Sequence, residues 1–210
     1  MAKASARDRL MDYFALLSEP RRPWLDADAL KQKFLALSAG AHPDKIHSAS
    51  DAEKAAASKT FAELNAAYNC LAEPKSRLLH LLELELGAKP KDIQQIPAGL
   101  ADLFAEVANS CRSADQFLGE KAKVTSPLLQ VQLFERGQEW VEKLNVLQQK
   151  LNALREQLIT SLQALDAQWL QADVASRRNC MSKIEDHYRL FGYLNRWNNQ
   201  IQERVVQLSF

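Results

Sequence analysis

From Trp140 to Leu165 an apolar residue returns at spacings that alternate mostly between four and three: Trp140, Leu144, Leu147, Leu151, Leu154, Leu158, Leu162 and Leu165. This is the a/d seam of an amphipathic helix, sustained for more than three heptads. A half-buried strand needs period two, so the stretch is not β. A second seam follows, through Met181, Ile184, Tyr188, Phe191, Leu194, Ile201, Val205 and Leu208. Two such helices, joined by a short connection near Asp166 to Asp173, pack antiparallel and seam to seam. The competing use of such a seam is a homodimeric coiled coil. Six Gly and seven Pro in 210 residues leave little punctuation for the many short strands of a sandwich or barrel. The expected fold class is therefore all-α.

The remainder reads as a series of shorter helices. Asp12 to Leu17 forms a short apolar turn or helix, closed by the two prolines of Ser18-Glu19-Pro20-Arg21-Arg22-Pro23. Asp26 can cap a second helix, with Leu30, Phe34 and Leu37 on one face and a stop near Gly40. Pro43 keeps His42 out of the α region, so residues 41–50 form a polar loop. A third helix starts near Asp51, presents Phe61, Leu64, Tyr68 and Leu71 on one face, and ends before Pro74. Pro74 suits the first turn of a fourth helix, apolar almost all round, that halts at Gly87 and Pro90.

Gly87 to Pro97 is the candidate hinge. The expected organisation is an extension over 1–10, a first domain over 11–87, a hinge over 88–97 and a helical bundle over 98–210. In the bundle Leu100, Leu103, Phe104, Val107 and Cys111 mark a fifth helix. Residues 112–126 read as polar and irregular. Gly137 and Gly192 fall inside predicted helices, with no reason visible in the sequence.

The most informative motif is His42-Pro43-Asp44-Lys45, set in the loop between two helices. Its flanks are the Leu30, Phe34, Leu37 face on one side and Asn65-Ala66-Ala67-Tyr68, Leu71, Pro74 and Arg77 on the other. Over residues 11–87 this arrangement resembles the J-domain of DnaJ-type co-chaperones. The resemblance implies docking of the helical hairpin on the ATPase of a DnaK-type chaperone. Local physics suits that role: Pro43 fixes the backbone, and a carboxylate on a rigid exposed turn can accept a bidentate bond from a partner's arginine. Asp44 would carry the contact, His42 would orient the loop, and Lys45, Lys31 and Lys33 would face an acidic surface. In the bland reading Asp44 only turns the loop.

Met11-Asp12-Tyr13-Phe14-Ala15-Leu16-Leu17, the apolar fourth helix, Ile96-Pro97 and the antiparallel second domain together look like the HscB family of iron–sulfur co-chaperones. That resemblance implies a second domain that binds an IscU-type cluster scaffold and delivers it to an HscA-type ATPase. Leu100, Leu103 and Phe104 would then be partner anchors; equally, they suit bundle core. The chain departs from the family in several ways. The basic stripe on the second helix is thinned to Lys31 and Lys33, with Arg21 and Arg22 upstream. The fifth helix lacks the usual methionine, and the second domain is longer. Alternatives are a J-domain co-chaperone for another client, or a helical adaptor that has lost ATPase stimulation.

Other chemistries find little support. Lys+Arg 27 against Asp+Glu 26 argues against a protein that coats nucleic acid. There is no run of eighteen apolar residues, so no membrane span is expected, and no secretory signal is read at the start. Cys70, Cys111 and Cys180 form no CxxC pair and read as small core residues in a reducing, cytoplasmic compartment. His42 and His47 have no carboxylate at ligand spacing on a helix, and His80 and His187 sit in helical apolar patterns. No metal, no cofactor and no catalytic constellation is expected.

Overall fold

The computed structural model describes residues 10–41, 50–90 and 99–209. Among them the regular structure is helical throughout, in seven helices: α1 Tyr13–Leu16, α2 Ala27–Ala41, α3 Asp51–Ala72, α4 Pro74–Leu86, α5 Ala101–Lys121, α6 Pro127–Gln171 and α7 Val174–Ser209. The chain forms two compact units, Met1–Lys91 with Thr160–Arg189 and Asp92–Ile159 with Leu190–Phe210. The turn end of the α6–α7 hairpin, Thr160–Arg189, groups with the first four helices. Residues 91–98 of the expected hinge lie outside the described residues.

In the first unit, local chemistry sets each helix start. Asp12 caps α1, its Oδ1 accepting the N–H groups of Phe14 and Ala15 at 3.0 and 3.2 Å. Asp26 accepts Ala29 N–H at 2.8 Å ahead of α2. Ser50 and Glu53 form a reciprocal capping box at α3. Glu73 caps α4 through Ser76 N–H, and Pro74 occupies the first turn, where no donor is missed. Gly87 ends α4 at φ 71, a left-handed conformation that costs other residues a Cβ clash.

The core of this unit holds Phe14, Leu17, Leu30, Leu71, Leu78, Leu81 and Leu82, each at most 1% exposed. Helix α4 buries Arg77 and His80 with its leucines, as expected of a helix apolar nearly all round. The hairpin end adds Asp166 and Trp169, both buried. Trp169 Nε1 donates to Arg21 O at 2.9 Å, and Lys75 lies 5.9 Å from the Tyr188 ring centroid. Only Ala172 and Asp173 separate the two long helices, and Asp173 starts α7 by accepting Ser176 N–H at 2.8 Å.

In the second unit the seams meet within one chain. Leu144, Leu147 and Leu151 of α6 are buried, as are Phe191, Leu194, Ile201 and Leu208 of α7. At the edge Gln148 donates to Asn198 and Gln202, and Arg155 to Asn195. Helix α5 joins them: Arg204 of α7 donates to Cys111 O and Asp115, and Lys150 of α6 pairs with Glu106.

The irregular stretch expected at 112–126 is a correction. Residues 112–121 continue α5, and only 122–126 are non-helical. The face runs on from Val107 and Cys111 through Ala114 and Phe117, all buried. Its spacing was present in the sequence, but alanine gives a weak apolar signal.

Candidate functional site

The α2–α3 hairpin is the element that brackets His42, Pro43, Asp44 and Lys45. Those four residues lie outside the described residues. Leu30 of α2 and Leu64, Ala67 and Leu71 of α3 are buried, and the Phe34 ring stacks on Tyr68 at 4.5 Å between centroids. Leu37, expected on the buried face, is 38% exposed, and its neighbour Ser38 is buried, with its hydroxyl donating to Leu35 O at 3.3 Å. Leu35 is also exposed. The loop-proximal end of α2 therefore presents two leucines on its surface.

The cations around α2 are mostly committed within the unit. Arg21 binds Asp12 at 2.8 Å and Glu85 at 3.5 Å, and these carboxylates hold its guanidinium above its usual range against the opposing effect of burial. Arg22 is bound to Asp166, and that hydrogen bond raises its pKa. Lys33 Nζ pairs with Glu19 at 2.8 Å and donates to Ser18 O at 3.1 Å. Ser18 sits at φ 54, so Lys33 holds a strained turn in place. Of these three and Lys31, only Lys31 is exposed without an ion pair among the described residues.

The three residues expected as anchors on α5 separate in the structure. Leu100, the residue ahead of α5, is buried at 9% exposure. Leu103 is half-buried and Phe104 is 41% exposed. The Phe104 ring lies 6.1 Å from Trp197, which lies 5.7 Å from Tyr193, with Arg196 over the Tyr193 ring. Leu100 is thus core, and Phe104 is the outer member of an aromatic row.

Chemistry beneath the surface is structural. His80 Nε2 accepts the N–H of Tyr13 at 3.1 Å, so the ring is neutral at that atom. Burial holds its pKa below the ordinary value, with Asp12 opposing and Arg21 reinforcing the shift. Arg77 donates to Pro23 O at 2.9 Å and Leu71 O at 2.5 Å, and burial lowers its pKa to about 10, leaving it charged at neutral pH. Burial also raises the Cys70 thiol to about 11 and raises Cys111, so neither is disposed to act as a thiolate. No cluster of His, Cys, Asp or Glu suited to a metal ion occurs among the described residues. A cleft of about 470 Å³ beside α4 is lined by Arg21, Glu83, Glu85 and Lys89. Arg21 pairs with Glu85 and Lys89 with Glu83, so opposite charges face each other across it.

Three residues that position these surfaces were not singled out in the sequence. Asp166 opens the connection expected over Asp166 to Asp173, which the structure shortens to Ala172 and Asp173 because α6 runs on to Gln171. Trp169, four past Leu165, and Trp197, three past Leu194 and four before Ile201, continue the a/d seams. A lone acid on a run of apolar residues was the available signal for Asp166.

The fold is of the HscB type. Solved structures similar to this chain include the chaperone HscB from Vibrio cholerae, at 21% identity and a TM-score of 0.58, covering 94% of this chain and 99% of that one. The human co-chaperone protein HscB is similar at 20% identity and a TM-score of 0.57, covering 95% and 82%. No family model matches the chain. No helix among the described residues is long and apolar enough to cross a membrane.

Proposed function

We propose that the protein is a J-domain co-chaperone of iron–sulfur protein maturation, working without catalysis of its own. It stimulates the ATPase of a DnaK/HscA-type chaperone through His42, Pro43, Asp44, Lys45 and Lys31, and carries an IscU-type scaffold on its second domain. The observation that supports this most is the His42-Pro43-Asp44 sequence between the two helices of the α2–α3 hairpin, in a chain of HscB-type fold. Such a protein acts through differential affinity for the states of its ATPase partner. Its three free cysteines suit a reducing compartment, the cytoplasm.

The test is a single-turnover ATPase assay with the cognate DnaK-type protein. The wild type accelerates hydrolysis, Asp44→Asn abolishes the acceleration and His42→Gln largely removes it, while both variants keep their helical circular dichroism. No acceleration by the wild type with any DnaK-type protein of the source organism overturns the proposal. Scaffold carriage is read separately: Phe104→Ser weakens capture of an IscU-type protein without unfolding the bundle. Capture unaffected by Phe104→Ser and Leu103→Ser removes α5 from the interface.

A second reading, a helical adaptor that no longer stimulates an ATPase, draws on one observation. Arg21, Arg22 and Lys33 are bound to acids within the unit, which leaves Lys31 as the uncommitted cation of α2 among the described residues. Exposed charge chiefly speeds and steers association, so the ATPase assay separates the two readings.

A further inference from the structure

The first two turns of α6 are apolar on the side away from the bundle. Leu128, Leu129, Val131 and Phe134 are 73, 47, 60 and 51% exposed, in a segment whose buried residues are Leu133 and Gly137. At roughly 100° per residue, Leu128, Val131 and Phe134 form a stripe whose Leu128 and Val131 lie roughly opposite that buried pair and whose Phe134 lies on its flank. A helix segment that is apolar on both sides calls for a second covering surface, and four large apolar side chains in two turns exceed the scatter normal for a monomer.

The charges around the stripe choose the occupant. Glu135 lies within it, exposed, one helical turn beyond Val131. At the other end the α5–α6 connection folds back on α6, with the Gln130 side chain donating to Val124 O at 3.3 Å. That places exposed Lys123 next to the α6 N-terminus, where the helix dipole is positive. One end of the stripe is therefore acidic and the other doubly favourable to an acid.

We propose that this stripe is a self-association surface, on which the first turns of α6 from two copies of the chain pair antiparallel about a two-fold axis at Val131. Leu128 then meets Phe134 of the second copy and Val131 meets its own equivalent, as an isologous interface requires. Glu135 falls level with Pro127 of the second copy, at the helix N-terminus beside its Lys123. A parallel pairing instead sets Glu135 against Glu135 and the two N-termini together. An anionic membrane fits less well, because Glu135 lies in the stripe. Two such patches bury on the order of 1,000 Å² in total, the low end for a specific interface, so the association is a weak one.

Sedimentation velocity of the full chain between 5 and 200 µM tests this. The expected result is a concentration-dependent monomer–dimer equilibrium, weakened at least tenfold by Val131→Lys or Phe134→Ser with unchanged helicity. Glu135→Lys weakens it and the added change Lys123→Glu restores it. Under mild oxidation Val131→Cys cross-links to itself, and Leu128→Cys cross-links with Phe134→Cys more than with itself. A monomer throughout that range overturns the proposal, as does a dimer indifferent to all these changes. Binding of phosphatidylglycerol vesicles lost in Phe134→Ser, without a dimer, also overturns it and assigns the stripe to a lipid surface.

Discussion

Arg22 and Asp166 stand 144 residues apart in the chain and form a two-pronged ion pair, with Arg22 Nε 3.0 Å from Oδ1 and Nη2 bound to Oδ2. The Trp24 N–H adds a third donor to the same carboxylate at 3.2 Å. This pair fastens the segment ahead of α2 to the turn end of the α6–α7 hairpin. Removing one partner of a buried pair strands the other's charge and the Trp24 donor. Asp166→Ala should therefore destabilise the protein by about 2–4 kcal/mol in urea unfolding, and Asp166→Asn by less, because it keeps one acceptor.

Lys31 and Lys33 are two residues apart on α2 and should respond oppositely. Lys33→Ala removes the ties to Glu19 and Ser18 O, and because the pair is part-exposed the cost is about 1 kcal/mol or less. Lys31→Glu should leave stability unchanged and slow association with a DnaK-type ATPase several-fold at low salt. Stopped-flow binding checks this, and the difference should shrink as salt is added, since exposed charges are screened.

His80 makes the first unit acid-sensitive. Its folded pKa is depressed below 6.5, by burial first, so the unfolded chain binds more protons as pH falls past that value. The stabilisation from neutral His80, which accepts the Tyr13 N–H, is complete above pH 6.5 and is lost as pH falls through the folded value. Urea midpoints should drop from about pH 7.5 to about 5.5 in the wild type. In His80→Gln, which keeps an acceptor and cannot titrate, the drop should be smaller.

Gly137 lies in the interior of α6 where a Cβ would meet Leu208 O at 3.5 Å and Phe117 at 3.7 Å, both ordinary contacts. Gly137→Ala should stabilise the protein by about 0.5–1 kcal/mol through the lower entropy of the unfolded chain. Gly137→Val should lose that gain, because its extra methyls press on the same neighbours. Thermal unfolding of the two variants reads the difference.

Much of the fold was legible because it is periodic or capped locally. Asp12, Asp26, Ser50 with Glu53, and Pro74 mark helix starts by chemistry confined to a few residues. The α6 and α7 seams needed only spacing. The extent of α5 was missed because Ala114 carries little apolar weight, and α6 began earlier than the seam because its first turns are apolar off the seam. The His42-Pro43-Asp44-Lys45 motif was equally plain in the sequence, but it lies outside the described residues.

By itself the sequence determined an all-α chain and the order of its helices, and it places the His42-Pro43-Asp44-Lys45 motif between α2 and α3, since capping and periodicity are short-range properties. Only the tertiary structure decided which charges are available. Lys33, Arg21 and Arg22 read as one basic group, yet each meets an acid brought near by folding: Glu19, Asp12 with Glu85, and Asp166. It also decided that Leu100 is core while Phe104 faces outward. Pairing and burial depend on residues far apart in the chain, and no local pattern encodes those distances.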